Sequence, residues 1–241
     1  TFTWCWANTK FEWACKRKRQ SMLERTLEPE VMDTEEDALE YESIDNSDVN
    51  AALVEHALQI APSRGEAVDI GSGPGHVAVL LARRAPGLRV LAVDLADSML
   101  ARARAHVEAS GLQDRVAVMR VDAKETGFAA GRFDLVLSNS LVHHIPEPVA
   151  FFAEVARIAR AGGAILIKDL HRPASAAEHR ELVERYASDC TPRQRELFSD
   201  SLLAALTADE VTTACARAGL AGVTVRRPSD RHWTIERGVA S

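Results

Sequence analysis

Between residues 67 and 170 the chain runs through five short apolar stretches, each followed by a segment of helical or mixed pattern. They are 67–70, 89–95, 115–123, 133–140 and 164–170, the second reading "RVLAVDL" and the fourth "FDLVLSNS". None alternates apolar with polar, so each strand must be covered on both faces, and covered strands alternating with helices define a parallel sheet with helices on either side. The intervening helices are expected at 50–60, 76–85, 97–111 and 148–161, the third with Asp97 as N-cap and the fourth ended by Gly162 and Gly163. Further helices fall at 175–189, 193–205 and 207–219, the last opened by a capping box of Thr207 and Glu210. The end changes character. "AGVTVRR" and "RHWTIER", joined by "PSD", form a hairpin. The expected fold class is therefore α/β, a doubly wound, seven-stranded, mostly parallel sheet closed by an antiparallel hairpin.

Ligands of an open parallel sheet bind beyond the carboxyl ends of its strands. Here those ends read Asp69-Ile70-Gly71, Asp94-Leu95, Asp122-Ala123, Ser138-Asn139 and Lys168-Asp169. A single aspartate in such a place is as readily a helix cap; the series along one sheet edge points to a ligand rich in hydroxyl and amino groups. The first strand runs into "GSGPG", with glycines at 71, 73 and 75. A dinucleotide turn would place its third glycine at 76, which is His here, and Asp69 beside the bare loop would repel a pyrophosphate. An amino-acid ammonium suits that carboxylate better. Asp94 is placed to accept two ribose hydroxyls, and Asp122 with the Ala123 amide to read an adenine edge.

The motifs "VDIGSGPG" (68–75), "LAVDLADSML" (91–100), "VDA" (121–123), "FDLVLSNSLVHHI" (133–145) and "ARAGGAILI" (159–167) resemble, in order and spacing, the class I S-adenosylmethionine-dependent methyltransferases. The resemblance covers roughly 50–237 and implies a Rossmann-like methyltransferase fold, S-adenosyl-L-methionine as cofactor and methyl transfer as the reaction. It implies a cofactor site built from Asp69, Gly71, Ser72, Gly73, Gly75, Asp94, Leu95, Met99, Asp122, Ala123, Ser138 and Asn139. His143 and His144, just past the fourth strand, are candidates for a base, His144 ranked first. Tyr41, Asp169, His171 and Arg172 are candidates for substrate contact, and no metal ligands are expected. The fourth strand ends in "SNSL" without proline, unlike enzymes that methylate nucleobases or glutamine side chains. That favours a small-molecule acceptor and O-, N- or C-methylation. Alternatives are a non-catalytic binding or assembly protein that retains the cofactor site, an aminopropyl transferase and a nicotinamide-dependent oxidoreductase.

The chain before residue 50 divides in two. Residues 1–20 hold three of the four tryptophans and end in a basic run, Lys16–Arg19. Charge following the aromatics is the wrong order for a secretory signal; the segment reads as an arm, a candidate for partner docking or homodimer exchange. Residues 21–49 form an acidic segment whose apolar residues fall at roughly helical spacing, a candidate helical lid, and 50–241 is the cofactor-binding domain. With 35 acidic and 29 basic residues the chain lacks the basic footprint of a nucleic-acid binder. No apolar run is long enough to span a membrane. Four cysteines without paired spacing fit a cytoplasmic protein with reduced thiols.

Overall fold

In the computed structural model, residues 23–29, 33–34, 43 and 46–239 are described. The arm of residues 1–20, Tyr41 and most of the acidic segment lie outside them. Seven strands form one sheet: β1 (Gly65–Ile70), β2 (Leu88–Asp94), β3 (Val116–Arg120), β4 (Phe133–Asn139), β5 (Ala159–Leu170), β6 (Thr224–Arg226) and β7 (His232–Arg237). Their order is β3-β2-β1-β4-β5-β7-β6. The first five are parallel, and β7 runs antiparallel to both β5 and β6.

Neighbouring residues in each strand face opposite layers. Ala67, Val90, Ala92, Leu135, Leu137 and Leu166 pack under α1 (Ser47–Ile60) and α2 (His76–Arg84). Their neighbours Val68, Leu91, Val93, Val136 and Ile167 face α4 (Pro148–Ile158) and α7 (Ala208–Arg217), where Trp233 is buried. Each fully buried large aliphatic side chain contributes about 1.5–3 kcal/mol, so a strand apolar on both sides is stable only inside such a sandwich. Helix α3 (Asp97–Ala109) covers β2 and β3. Helices α5 (Ala176–Ala187) and α6 (Pro192–Ala204) pair with each other and, through Leu182, Val183 and Leu202, cap Leu170 at the carboxyl end of β5.

Two expected boundaries are corrected. Helix α4 stops at Ile158, not Ala161, because Ala159 is already extended and pairs with Phe133; the register then shifts as the chain passes Gly162, at φ 72°. Asp97 is the first residue of α3 instead of its cap: Ala96 holds the N-cap position, and its amide donates to Asp94 Oδ1 at 3.0 Å. The capping box of Thr207 and Glu210 is present, and a second, Thr191 with Gln194, opens α6.

Candidate functional site

After β1 the chain builds β2 and β3 on one side, then returns to lay β4 on the other. The crevice between the carboxyl ends of β1 and β4 is therefore the switch point where a parallel sheet opens to ligands. A cavity of about 100 Å³ lies there, lined by Gly71, Gly73, Asp94, Leu95, Met99, Asp122, Ala123 and Asn139. It joins, through Gly71 and Asn139, a wider groove of about 820 Å³ that reaches Asp69, Ser72 and the start of α1. Gly71 must be bare: at φ 69° its Cβ would come within 2.8 Å of the Leu141 side chain.

Asp94 reaches across the glycine loop. Its Oδ2 accepts from the Gly73 amide at 2.8 Å while Oδ1 holds Ala96, so one carboxylate fixes both the loop and the start of α3. Asp69 is 2 % exposed, and its Oδ2 has no hydrogen-bond partner. Burial, and then the nearby Asp94 charge, push its carboxyl up to about 7. A buried carboxylate with one unpartnered oxygen, beside a second carboxylate, calls for a ligand that brings positive charge and donors. Asp122 Oδ1 accepts from the Lys124 amide at 2.8 Å and pairs with its ammonium at 3.0 Å; burial alone would raise its pKa, but these contacts carry it below the ordinary value.

Two expected cofactor residues are placed differently. The Ser138 hydroxyl donates to the Ile70 carbonyl at 2.7 Å, tying β4 to β1 with no exposure to the cavity. Gly75 is the N-cap of α2, at φ 79°, where a Cβ would meet Ala103 at 3.1 Å; it permits α2 and α3 to approach.

Beyond β4 the chain turns sharply. Ser140, at φ 54°, is the one non-glycine residue with positive φ among the described residues, and it lines the cavity. Such strain is held only where the surroundings over-determine it. The 3₁₀ turn Val142–His144 follows. His143 Nδ1 lies 2.6 Å from Oδ1 of the fully buried Asp169, whose Oδ2 accepts from the Val142 and His143 amides at 2.5 and 3.2 Å. Burial works against charge on His143, but the contacts with Asp169 and Glu28 prevail and its pKa is raised. His144 lines the cavity; burial, then the neighbouring His143, lower its pKa to about 3.

Sequence reasoning missed what completes this cluster. Glu28 Oε1 lies 3.5 Å from His143 Nε2 and 3.4 Å from His144 Nδ1. Its segment is strapped down by Arg25, which donates to the carbonyls of His143, Ile145, Pro146 and Ala204. No local signal announces such a contact, since Glu28 is one acid among many in an acidic stretch. Of the expected substrate residues, the described ones, Asp169, His171 and Arg172, are not gathered at a mouth. Arg172 is buried, donating to the Ala205 carbonyl at 2.8 Å and to Glu210 at 2.5 Å, so its guanidinium faces α7. His171 is 9 % exposed and, like Arg172, does not line the cavity.

Residues 68–167 match the methyltransferase domain family. Over 111 residues the chain is 36% identical to a phosphatidylethanolamine N-methyltransferase of Cereibacter sphaeroides, covering 46% of this chain and 53% of that protein. Over 112 residues it is 32% identical to a ubiquinone biosynthesis O-methyltransferase of Methylococcus capsulatus, covering 46% of each. The chain thus spans about half the length of these curated relatives. Its fold is shared with phospholethanolamine N-methyltransferase 2 of Haemonchus contortus, solved with phosphomonomethylethanolamine and S-adenosylhomocysteine: TM-score 0.64, 20% identity, 86% of this chain and 57% of that one. The crevice, its strand-end carboxylates and these matches define one class. Residues 68–167 carry a methyltransferase domain, set in the Rossmann-like fold that these methyltransferases share.

Proposed function

We propose that the protein binds S-adenosyl-L-methionine in the switch-point crevice and transfers its methyl group to a small-molecule acceptor. One observation carries the reading: Asp69, buried with an unpartnered oxygen beside Asp94, at the point where β1 and β4 part. Two carboxylates there favour an ammonium and hydroxyls over a pyrophosphate. Their placement supports the following roles. Asp69 with Gly71, Ser72 and Gly73 would take the amino-acid end, Asp94 the ribose, and Leu95, Met99, Asp122 and Ala123 the adenine. When bound, the sulfonium supplies an activated methyl group.

The chain's own part is alignment and proton handling. Holding an acceptor against the site supplies ~7–11 kcal/mol through proximity alone. An acceptor hydroxyl or amine that must lose a proton would meet it beside Leu141 and His144, with His143 behind. Asp169 holds the His143 ring through Nδ1 and raises its affinity for a proton, so His143 is our first candidate for the base, ahead of His144, whose pKa burial lowers. The relatives' names, a phospholipid amine and a quinone precursor, support a small organic acceptor.

Calorimetric titration with S-adenosylmethionine, S-adenosylhomocysteine and NADH tests the cofactor. Saturable binding of the first two, with none of NADH, is expected; NADH binding without either would overturn it. The acidic balance speaks against a nucleic-acid partner, and a cytoplasmic location with reduced thiols is our reading of the cysteines. Among the described residues no helix is long and apolar enough to cross a membrane. Residues 1–20 are our candidate for a homodimer contact; sedimentation with and without them checks it.

A further inference from the structure

The cluster at the 3₁₀ turn brings three side chains able to ligate a metal close together: Glu28, His143 and His144. His143 meets Asp169 through Nδ1, and its other ring nitrogen, Nε2, faces Glu28 and offers a lone pair in the neutral ring. The His144 ring is bonded to the backbone of Pro29, a residue that offers only a carbonyl, and its Nδ1 has no hydrogen-bond partner. Glu28 Oε1 has none either, while Oε2 accepts from Ser201 at 3.4 Å. The three donor atoms lie within 4.8 Å of one another, on side chains 5–16 % exposed.

A shared proton does not explain the spacing. A charge-assisted hydrogen bond would draw nitrogen and oxygen to about 2.7–2.9 Å. Here both separations from Glu28 Oε1 are longer, 3.5 and 3.4 Å. They agree instead with the edge of a tetrahedron around an ion at 2.0–2.1 Å, which is about 3.3–3.4 Å. Two imidazoles and one carboxylate are a borderline donor set, suited to Zn²⁺ and its neighbours and poorly to Mg²⁺ or Ca²⁺. The second shell fits as well. A ligating histidine ordinarily donates its other ring nitrogen to a carboxylate or a carbonyl, and here Asp169 and Pro29 supply one of each.

We propose that Glu28 Oε1, His143 Nε2 and His144 Nδ1 form a three-ligand site for a divalent transition-metal cation such as Zn²⁺, with the fourth position open beside the cavity. The ligands come from two places 115 residues apart, and Arg25 joins them: four carbonyls, three of them on residues 143–146, hold the strap that delivers Glu28. The site goes beyond the methyl-transfer reading and does not depend on it. Cation and proton would compete for the His143 Nε2 lone pair, so with an ion bound His143 would not serve as a base.

The test uses the full chain, stripped with a chelator and titrated with Co²⁺ as a spectroscopic probe, then with Zn²⁺ in competition. One equivalent of Co²⁺ with the intense visible bands of a tetrahedral site is expected, displaced by Zn²⁺ and not by equimolar Mg²⁺. Glu28→Gln and His144→Asn should each weaken binding by more than about 100-fold, and Asp169→Asn, acting through His143, by about 10–100-fold. His232→Asn, outside the cluster, should bind like the parent. Circular dichroism establishes that each variant is folded. If one is not, the parent decides alone: Zn²⁺ must raise its Tm by several degrees. Absence of tetrahedral bands, a Tm that Zn²⁺ leaves unmoved, or equal affinity in Glu28→Gln and parent would overturn the site. S-adenosylhomocysteine is titrated into the same samples, so failure of the cofactor reading is seen separately.

Discussion

Asp94 is asked to do two things at once. Both its oxygens hold backbone amides, those of Gly73 and Ala96, and each oxygen keeps a second lone pair for a ligand hydroxyl. Hydrogen bonds to a charged group are worth ~1.5–3 kcal/mol, so Asp94→Ala should weaken S-adenosylhomocysteine binding by about 2–4 kcal/mol, roughly 30- to 1000-fold. A strand-end carboxylate read from sequence suggests no penalty without ligand. The two amide contacts say otherwise: a loss of about 1–2 kcal/mol is expected in urea unfolding as well. Asp94→Asn keeps one acceptor oxygen and should lose less of both. Calorimetry and unfolding on the same variants check this, and unchanged affinity in Asp94→Ala would sink the ribose assignment. Asp69, Asp94 and Asp122 were legible in the sequence because each follows directly on an apolar run. Ser138 was not separable from them, since nothing local tells whether a hydroxyl faces a ligand or a neighbouring strand's carbonyl.

At the scale of elements, Glu154 on α4 anchors the loop between β3 and β4. It accepts from the Thr126 amide at 2.8 Å and from Arg157 Nε and Nη2 at 2.7 and 2.6 Å. The Arg157 hydrogen bonds, against the opposing effect of burial and with help from Thr126, bring its carboxyl down to about 2. A carboxylate depressed in the folded state stabilises above its unfolded pKa and loses that contribution as pH falls through the folded one. Stability from Glu154 should therefore be complete above about pH 4.5 and fade toward pH 2, a contribution on the order of 3 kcal/mol. Glu154→Gln should be less stable at pH 7 and show a flatter stability profile across that window, measured by urea unfolding at several pH values. On α7, Thr207 caps the helix through the Glu210 amide at 3.2 Å, and Thr207→Ala should cost about 1 kcal/mol in the same assay. Capping boxes are local, three residues apart, so this one was readable from sequence. The end of α4 was not, because strand pairing with Phe133 took Ala159 away from the helix.

For the whole molecule, the decisive contact is between the start of the described chain and the carboxyl edge of the sheet. Arg25 bonds to α6's last residue, Ala204, and to the turn that follows β4, and the Thr26 amide donates to the Leu203 carbonyl at 3.1 Å. Arg25→Ala should lower stability by about 1.5–3 kcal/mol, its hydrogen bonds counted as one set because they share a single charge. Removing residues 1–22 should leave Tm and S-adenosylhomocysteine affinity near those of the parent, while removing 1–29 should lower Tm as Arg25→Ala does. Thermal unfolding and calorimetry of the two truncations separate arm from strap; a large loss in the shorter truncation would give the arm a place in the fold. By itself the sequence determined the two-sided burial of five strands, the closing hairpin and the carboxylates at the sheet edge, because period and adjacency are properties of neighbouring residues. Only the tertiary structure decided that Glu28 meets His143 and His144, that Asp169 belongs to His143, and that Arg172 is bound to α7. Those pairings join residues 26 to 116 positions apart, brought together by strand order and chain crossing, which no local pattern encodes.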